Sequence, residues 1–189
     1  MNQGWIQTST GKQFFPLAPR VEDIDIEDIA HHLSHINRFT GATKRPYSVA
    51  QHSVLVSGIV PLADMLWGLL HDASEAYLND ISRPVKHGAA LDGYRLAEDQ
   101  LQRLICERFG LSQEMPPSVK HADLRMFATE ARDLMPGLPA GCCDERRDRE
   151  LCYPWTIVPW GPTTAKNEFL ERYRDLRRMY PHQARQAVR

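Results

Sequence analysis

The chain has 189 residues, with 23 Lys+Arg against 24 Asp+Glu and a formal net charge of −1. That length suits one domain over residues 1–189 and is short for two, since domains usually run roughly 100 to 200 residues. The charge balance leaves no global basic field to recruit a nucleic acid polymer or an anionic membrane, so phosphate binding has to be local.

The N-terminus, Met1-Asn2-Gln3-Gly4-Trp5, lacks a basic region followed by an apolar run. The longest apolar stretch, Val54 to Leu70, is interrupted by Pro61 and Asp64. Both features predict a soluble, cytoplasmic protein. From Trp5 to Leu17 the pattern predicts two short strands around a Thr10-Gly11 turn, because glycine accepts the positive φ that such turns need. Asp25 then precedes Ile26, Ile29, Ala30 and Leu33, whose spacing of three and four describes one helical face, with Gly41 as the stop. Ser48-x-x-Gln51 resembles a capping box opening a second helix, which places His52 in its first turns.

Pro61 suits the start of a third helix, largely buried through Met65, Leu66, Leu69, Leu70 and Ala73, with His71 and Asp72 inside it. Pro84 begins or breaks the next segment. Leu91, Tyr94, Leu101, Leu104, Ile105 and Phe109 then describe an amphipathic helix closed by Gly110. Val119, Leu124, Phe127, Ala128 and Ala131 predict a helix from about Pro117 to Leu134, with Asp123 near its middle. The proline-rich and charged segment from Met135 to Pro162 reads as a long loop with a short strand at Thr156-Ile157-Val158. A last helix runs from about Thr163 to Tyr180 and packs Phe169, Leu170, Tyr173 and Leu176, before a polar tail from Pro181. Four cysteines with no Cys-x-x-Cys pair do not make a disulfide scaffold. Cys142, Cys143 and Cys152 fit either reduced thiols or a loose soft-metal cluster.

The adjacent pair His71-Asp72 is the most informative local feature. Neutral imidazole and carboxylate donors together suit a divalent first-row ion, and His52 and Asp123 on other helices can complete the shell. Neighbouring residues differ by about 100° around a helix, so both can reach one ion only from a helix end or from a closely packed helix. Glu75, three residues after Asp72 and four after His71, falls on the same side one turn later, where it can hold water without binding metal. Burying these groups unpartnered costs roughly 1 to 3 kcal/mol each, and more for charges. A metal removes that cost. On spacing alone, a helix end that exposes the same groups to solvent is an equal alternative.

The ordered set His52, His71-Asp72 and Asp123 resembles the HD superfamily of metal-dependent phosphohydrolases. His71-Asp72-Ala73-Ser74-Glu75-Ala76 followed by Asp80 is similar to its 5′-deoxynucleotidase branch. Phage and prophage nucleotide phosphohydrolases are closer still, through Thr10-Gly11, Asp23-Ile24-Asp25-Ile26, Tyr47 to Ser53, Asp123-Leu124-Arg125 and Val158-Pro159-Trp160. The resemblance implies an all-α HD-domain helical bundle with a small N-terminal β-hairpin. It also implies one divalent transition metal ion (Co, Mn, Zn, Ni or Fe) on His52, His71, Asp72 and Asp123. Glu75 matches the residue that orients or deprotonates water, and Asp80 a second acid that assists proton transfer. Arg38 matches an arginine that contacts phosphate or sugar. The next position is Trp in the deoxynucleotidases and Phe39 here, which opens the question of sugar selection. Lys86 and Lys120 match phosphate-contacting lysines of related triphosphohydrolases.

The expected function is hydrolysis of a deoxynucleoside 5′-monophosphate to nucleoside and phosphate. The same ligands serve removal of triphosphate from a deoxynucleoside triphosphate such as dATP. A third class is a nucleotide-binding or replication-regulating protein without turnover, which would not need Glu75 and Asp80. The expected partner is a small deoxynucleotide rather than a polymer or membrane, and the resemblance points to a homo-oligomer. His31, His32 and His35 read as a partly exposed helix face. His87 and His121 could supply a second metal only if they faced the cavity, and Trp67 and Tyr77 read as core.

Overall fold

The computed structural model describes residues 4–137 and 151–179. These are mostly helical, and the only sheet among them is a two-stranded antiparallel hairpin near the N-terminus. That is the all-α class with a small N-terminal hairpin that the resemblance implies. Strand β1 (Ile6–Gln7) pairs with β2 (Gln13–Phe14) through a turn in which Gly11 takes φ 85°. The buried Asp28 carboxylate fastens this turn, accepting the Ser9 hydroxyl and the Thr10 amide at 2.7 Å each and the Thr10 hydroxyl at 2.8 Å.

Helix α1 (Ile26–His35) opens on Asp25, whose side chain accepts the Glu27 amide, and buries Ile29, Ala30 and Leu33. It stops at His35, well before Gly41, because the chain turns extended at Ile36 to pair with Tyr47-Ser48-Val49. Arg38 N–H donates to Tyr47 O and Val49 N–H to Ile36 O. Gly41, at φ 78°, ends the short 3-10 turn Arg38–Gly41 instead.

Helix α2 (Val49–Ile59) is the central element, packed by α1 and by the later helices α3 (Met65–Leu70), α7 (Pro117–Leu134) and α8 (Pro162–Met179). Its low amphipathicity follows from being covered on most sides. Ser48 Oγ accepts the Gln51 amide at 3.2 Å, which is half of the expected capping box. The Gln51 side chain does not return the bond. It donates to Val158 O at 2.9 Å and accepts Trp160 N–H at 2.8 Å, tying the segment before α8 to α2.

Helix α3 is shorter than its sequence pattern predicts, and His71 and Asp72 lie beyond its end rather than inside it. From Leu70 the chain tightens into i→i+3 bonds, Ala73 N–H to Leu70 O and Glu75 N–H to Asp72 O, before α4 (Glu75–Leu78). Gly68 explains where α3 sits. An added Cβ would lie 3.1 Å from Ser57 Cα and 3.2 Å from Val60 Cγ2, so α3 packs backbone against backbone on α2.

Helix α5 (Arg83–Lys86) carries Pro84 in its first turn. Helix α6 (Asp92–Phe109) buries Leu101, Ile105 and Phe109 and ends on Gly110 at φ 73°, with Leu111 N–H reaching back to Cys106 O at 2.8 Å. This is the αL cap that a glycine after a periodic helix predicts. Helix α7 buries Val119, Ala122 and Met126, whereas Leu124 and Phe127, expected on its apolar face, are each 49% exposed. Helix α8 buries Phe169, Leu170 and Leu176.

The strand expected at Thr156-Ile157-Val158 does not form. Side chains replace a partner strand there, since Asp133 accepts the Ile157 amide at 2.8 Å and Gln51 serves Val158. Cys142, Cys143, the charged run 144–150 and the tail lie outside the described residues. Among the described residues, no helix is long and apolar enough to cross a membrane.

Candidate metal centre

Three helical elements bring the expected ligands together. His52 comes from the first turns of α2, His71 and Asp72 from the tight turn after α3, and Asp123 from the middle of α7. His52, His71 and Asp72 each offer one ligand atom, all within 4.8 Å of one another. The two Nε2 atoms lie 3.1 Å apart, His71 Nε2 is 3.2 Å from Asp72 Oδ2, and His52 Nε2 is 3.6 Å from it. Asp123 Oδ1 joins at 3.2 Å from His52 Nε2 and 4.0 Å from His71 Nε2. Neighbouring donors around an ion bonded at ~2.1 Å sit about 3.0 to 3.4 Å apart, so the shorter of these separations already match such a shell. The sequence alternatives of a buried shell and an exposed helix end are thereby decided for the imidazoles, which are both buried.

The second nitrogen of each ring fixes which atom faces the centre. His71 Nδ1 lies 2.8 Å from Gly68 O, a carbonyl that can only accept, so Nδ1 carries a proton and Nε2 is the atom left to face the centre, with a lone pair in the neutral ring. His52 Nδ1 lies 2.6 Å from Glu130 Oε1 and donates to it in the same way. Two lone pairs facing one another at 3.1 Å repel unless a proton or a cation lies between them. With a proton there, burial and Arg38 oppose the charge on His52, but Glu130 and Asp123 outweigh them and hold its pKa up to about 9. Burial likewise disfavours the Asp72 carboxylate, yet His71, His52 and Arg38 keep it well below the usual range. Imidazole and carboxylate donors gathered around one point can hold a metal ion.

Glu75, the first residue of α4, is 7% exposed, and its Oε2 is buried with no hydrogen-bond partner. Burial, then the Asp72 and Asp80 carboxylates, push its pKa well above the ordinary value. The i→i+3 turn puts Glu75 on the side of Asp72. Asp80 is shifted upward by burial and Asp72, against the opposing charges of Arg38 and Lys86. Arg38 enters from the turn after α1. Its Nε donates to Glu130 Oε2 at 3.1 Å, and a terminal nitrogen is 3.5 Å from Asp72 Oδ2.

The remaining expected residues lie at the edge. Phe39 follows Arg38 in a left-handed conformation, φ 54°, and stacks on Phe127 at 5.4 Å. Lys86 sends its charge toward Glu75 and Asp80 but is paired with Glu98 at 2.5 Å. Lys120 is exposed one turn before Asp123, with no ion pair among the described residues. A cleft of about 450 Å³ between α1 and α4 is lined by His31, His32, His35 and Glu75; of the site residues only Glu75 borders it. His32 is a structural tie, accepting Ser9 N–H at 3.1 Å and contacting Ala76 O at 2.7 Å. Exposed His87 and His121 add no donor to the metal group. Trp67 and Tyr77 are core residues.

The sequence reading missed Glu130 and Tyr47. Both Glu130 oxygens are used, Oε1 by His52 and by the Tyr47 hydroxyl at 2.8 Å, and Oε2 by Arg38. A signal existed: Glu130 is seven residues after Asp123, two turns along the same helical face.

No family model matches the chain. The chain is 39% identical over 182 residues to uncharacterized protein YfdR of Escherichia coli strain K12, covering 91% of this chain and 95% of that one. It is 38% identical over 170 residues to an uncharacterized protein of Rhodobacter capsulatus, covering 85% of this chain and 86% of the relative. With identity of that degree along nearly the full length of both chains, this protein belongs to the family that includes YfdR.

Proposed function

We propose that the protein is a metal-dependent phosphohydrolase that converts deoxynucleoside 5′-monophosphates to nucleoside and phosphate. The observation that carries this reading is the facing pair of Nε2 atoms at 3.1 Å, both Nδ1 atoms committed elsewhere, beside the buried and unpartnered Glu75 oxygen. The resemblance of His52, His71-Asp72, Glu75, Asp80 and Asp123 to the HD phosphohydrolases supplies the reaction class. His52, His71, Asp72 and Asp123 would hold the ion. When bound, a divalent ion stabilises charge on phosphoryl oxygens and lowers the pKa of water.

The protein's own residues do the rest. Glu75 accepts the proton of the attacking water; its buried environment makes the carboxylate a stronger base than an exposed one. As the water oxygen bonds to phosphorus, the bond to O5′ breaks, and the proton that Glu75 takes from the water passes to the leaving oxygen, with Asp80 assisting the transfer. Arg38 neutralises the phosphoryl oxygens with the terminal nitrogens that Glu130 leaves free. Phe39, beside Arg38 and stacked on Phe127, meets the sugar or base.

One observation favours a second reading, removal of triphosphate from a deoxynucleoside triphosphate. Lys120 is exposed and unpaired among the described residues one turn from Asp123, where a longer phosphate chain would reach it. Chromatography of the products separates the two. Nucleoside plus orthophosphate from monophosphates is the expected result, and nucleoside plus tripolyphosphate from triphosphates replaces it with the second reading. A protein that binds nucleotides but releases neither product, with Co, Mn or Zn loaded in turn, is the non-catalytic binding protein.

A further inference from the structure

Glu130 touches both halves of the site from behind, His52 on one side and Arg38 on the other. Its side chain is fully buried, and it accepts His52 Nδ1–H at 2.6 Å through Oε1 and Arg38 Nε–H at 3.1 Å through Oε2. Tyr47 O–H adds a third donor at 2.8 Å. Helix α7 thus carries Asp123 toward the ion position and Glu130, two turns on, behind the opposite side of His52.

We propose that Glu130 is a positioning residue that couples metal loading to anion binding: one oxygen fixes His52 as an Nε2 ligand, and the other fixes the reach of Arg38. The His52 half stands on geometry alone; the Arg38 half rests on the phosphohydrolase reading. A carboxylate behind a ligating imidazole holds the ring and keeps its proton on the far nitrogen. The same carboxylate occupies Arg38 Nε–H; with Nη1 turned to Asp72 at 3.5 Å, the guanidinium keeps Nη2 and the second Nη1–H to grip an oxyanion.

A carboxylate accepts at both ends, whereas an amide accepts at one and donates at the other. In Glu130→Gln the permanently charged Arg38 retains the amide oxygen. The NH2 end then faces His52 Nδ1 and moves the ring proton to Nε2, which removes that ligand. Deleting Arg38 as well frees the amide to rotate and serve His52 again.

The test titrates Co2+ and inorganic phosphate into the full-length protein by calorimetry, with the Co2+ absorption spectrum as a second readout. Glu130→Gln is expected to weaken Co2+ binding 10- to 100-fold. Arg38→Ala is expected to keep Co2+ affinity within about threefold while weakening phosphate at least about tenfold. Arg38→Ala/Glu130→Gln is expected to regain Co2+ affinity close to that of Arg38→Ala, a rescue that a purely structural role for Glu130 does not produce. Co2+ and phosphate affinities both unchanged in Glu130→Gln, or a double variant no better than Glu130→Gln, overturn the coupling alone. Wild-type protein that binds Co2+ but no phosphate overturns the coupling and the phosphohydrolase reading together. Imidazole 15N spectra of Zn2+-loaded wild type require no variant: the proton is expected on His52 Nδ1, and a proton on Nε2 overturns the proposal.

Discussion

The Nε2 atoms of His52 and His71 face one another at 3.1 Å while each ring spends its Nδ1 proton on a fixed acceptor, Glu130 for one and Gly68 O for the other. The pair is therefore held as two electron donors aimed at one point, and the behaviour of the site follows from what occupies that point.

Removing a ligand and removing the neighbouring acid should have different effects. Asp72→Ala is expected to abolish stoichiometric metal loading. Glu75→Gln is expected to load metal like wild type and to lose at least ~100-fold in turnover, the lower range for a general acid or base. Metal content by mass spectrometry, alongside phosphate release, reads both. Because Glu75 Oε2 is buried without a partner, neutralising it should not lower the thermal midpoint. Unchanged turnover in this variant removes Glu75 from the mechanism.

The pH dependence of stability in chelator has a defined sign. His52 holds its proton up to about pH 9, above the ordinary imidazole value of 6.5. Its contribution, roughly 3 kcal/mol, is fully present below pH 6.5 and is lost as pH rises through about 9. Glu75, raised by burial and by Asp72 and Asp80, acts in the same direction. Asp72 and Glu130, both lowered despite their burial, act oppositely and lose their contribution as pH falls through the acid range. Thermal melts should show the chelated protein weakening from pH 6.5 to 9. Saturating metal, which replaces the proton between the rings, should flatten that slope, and an unaltered slope contradicts the ligand geometry.

Glycine 68 gives a test of the scaffold. Alanine is favoured over glycine inside a helix by about 1 kcal/mol. Here the new Cβ would meet Ser57 Cα at 3.1 Å and Ser57 N at 3.3 Å, and Ser57 is itself held by Arg172 and by Met65 O. The clash should win. Gly68→Ala is expected to cost roughly 1 to 3 kcal/mol by denaturant titration and to weaken metal binding, since Gly68 O orients His71. A variant as stable as wild type with full metal affinity shows that α2 and α3 can separate without moving the site.

The hairpin latch is independent of the metal. Asp28→Ala leaves the Ser9 and Thr10 donors without their acceptor and should cost roughly 2 to 4 kcal/mol. Metal affinity should stay within about threefold, because Asp28 touches no ligand. A large loss of metal affinity would tie the hairpin to the centre and contradict this separation.

The helices, and the meeting of His52, His71 and Asp72, were legible because apolar spacing and end signals agreed: Asp25 and Ser48 at starts, Gly110 at a stop, Pro117 at the entry of α7. The position of Asp123 followed from that last helix. What escaped was whatever depended on which groups meet across the fold. His71 and Asp72 carry helical spacing, yet tertiary packing ends α3 at Leu70 and tightens the turn, which lets adjacent residues share a centre. Thr156-Ile157-Val158 has strand composition, but Gln51 and Asp133 satisfy its backbone in place of a neighbouring strand. Glu130 looks like any acid on a charged helix until His52, Tyr47 and Arg38 converge on it.

The central claim is tested most directly by comparing wild type with Glu75→Gln at equal Co2+ occupancy against a panel of deoxynucleoside 5′-monophosphates, with nucleoside and phosphate quantified together. The account predicts equimolar nucleoside and phosphate from wild type, at least ~100-fold less from the variant, and none from either protein after chelation. Metal-loaded wild type that releases no phosphate from any nucleotide, or turnover that survives removal of the metal, would contradict it.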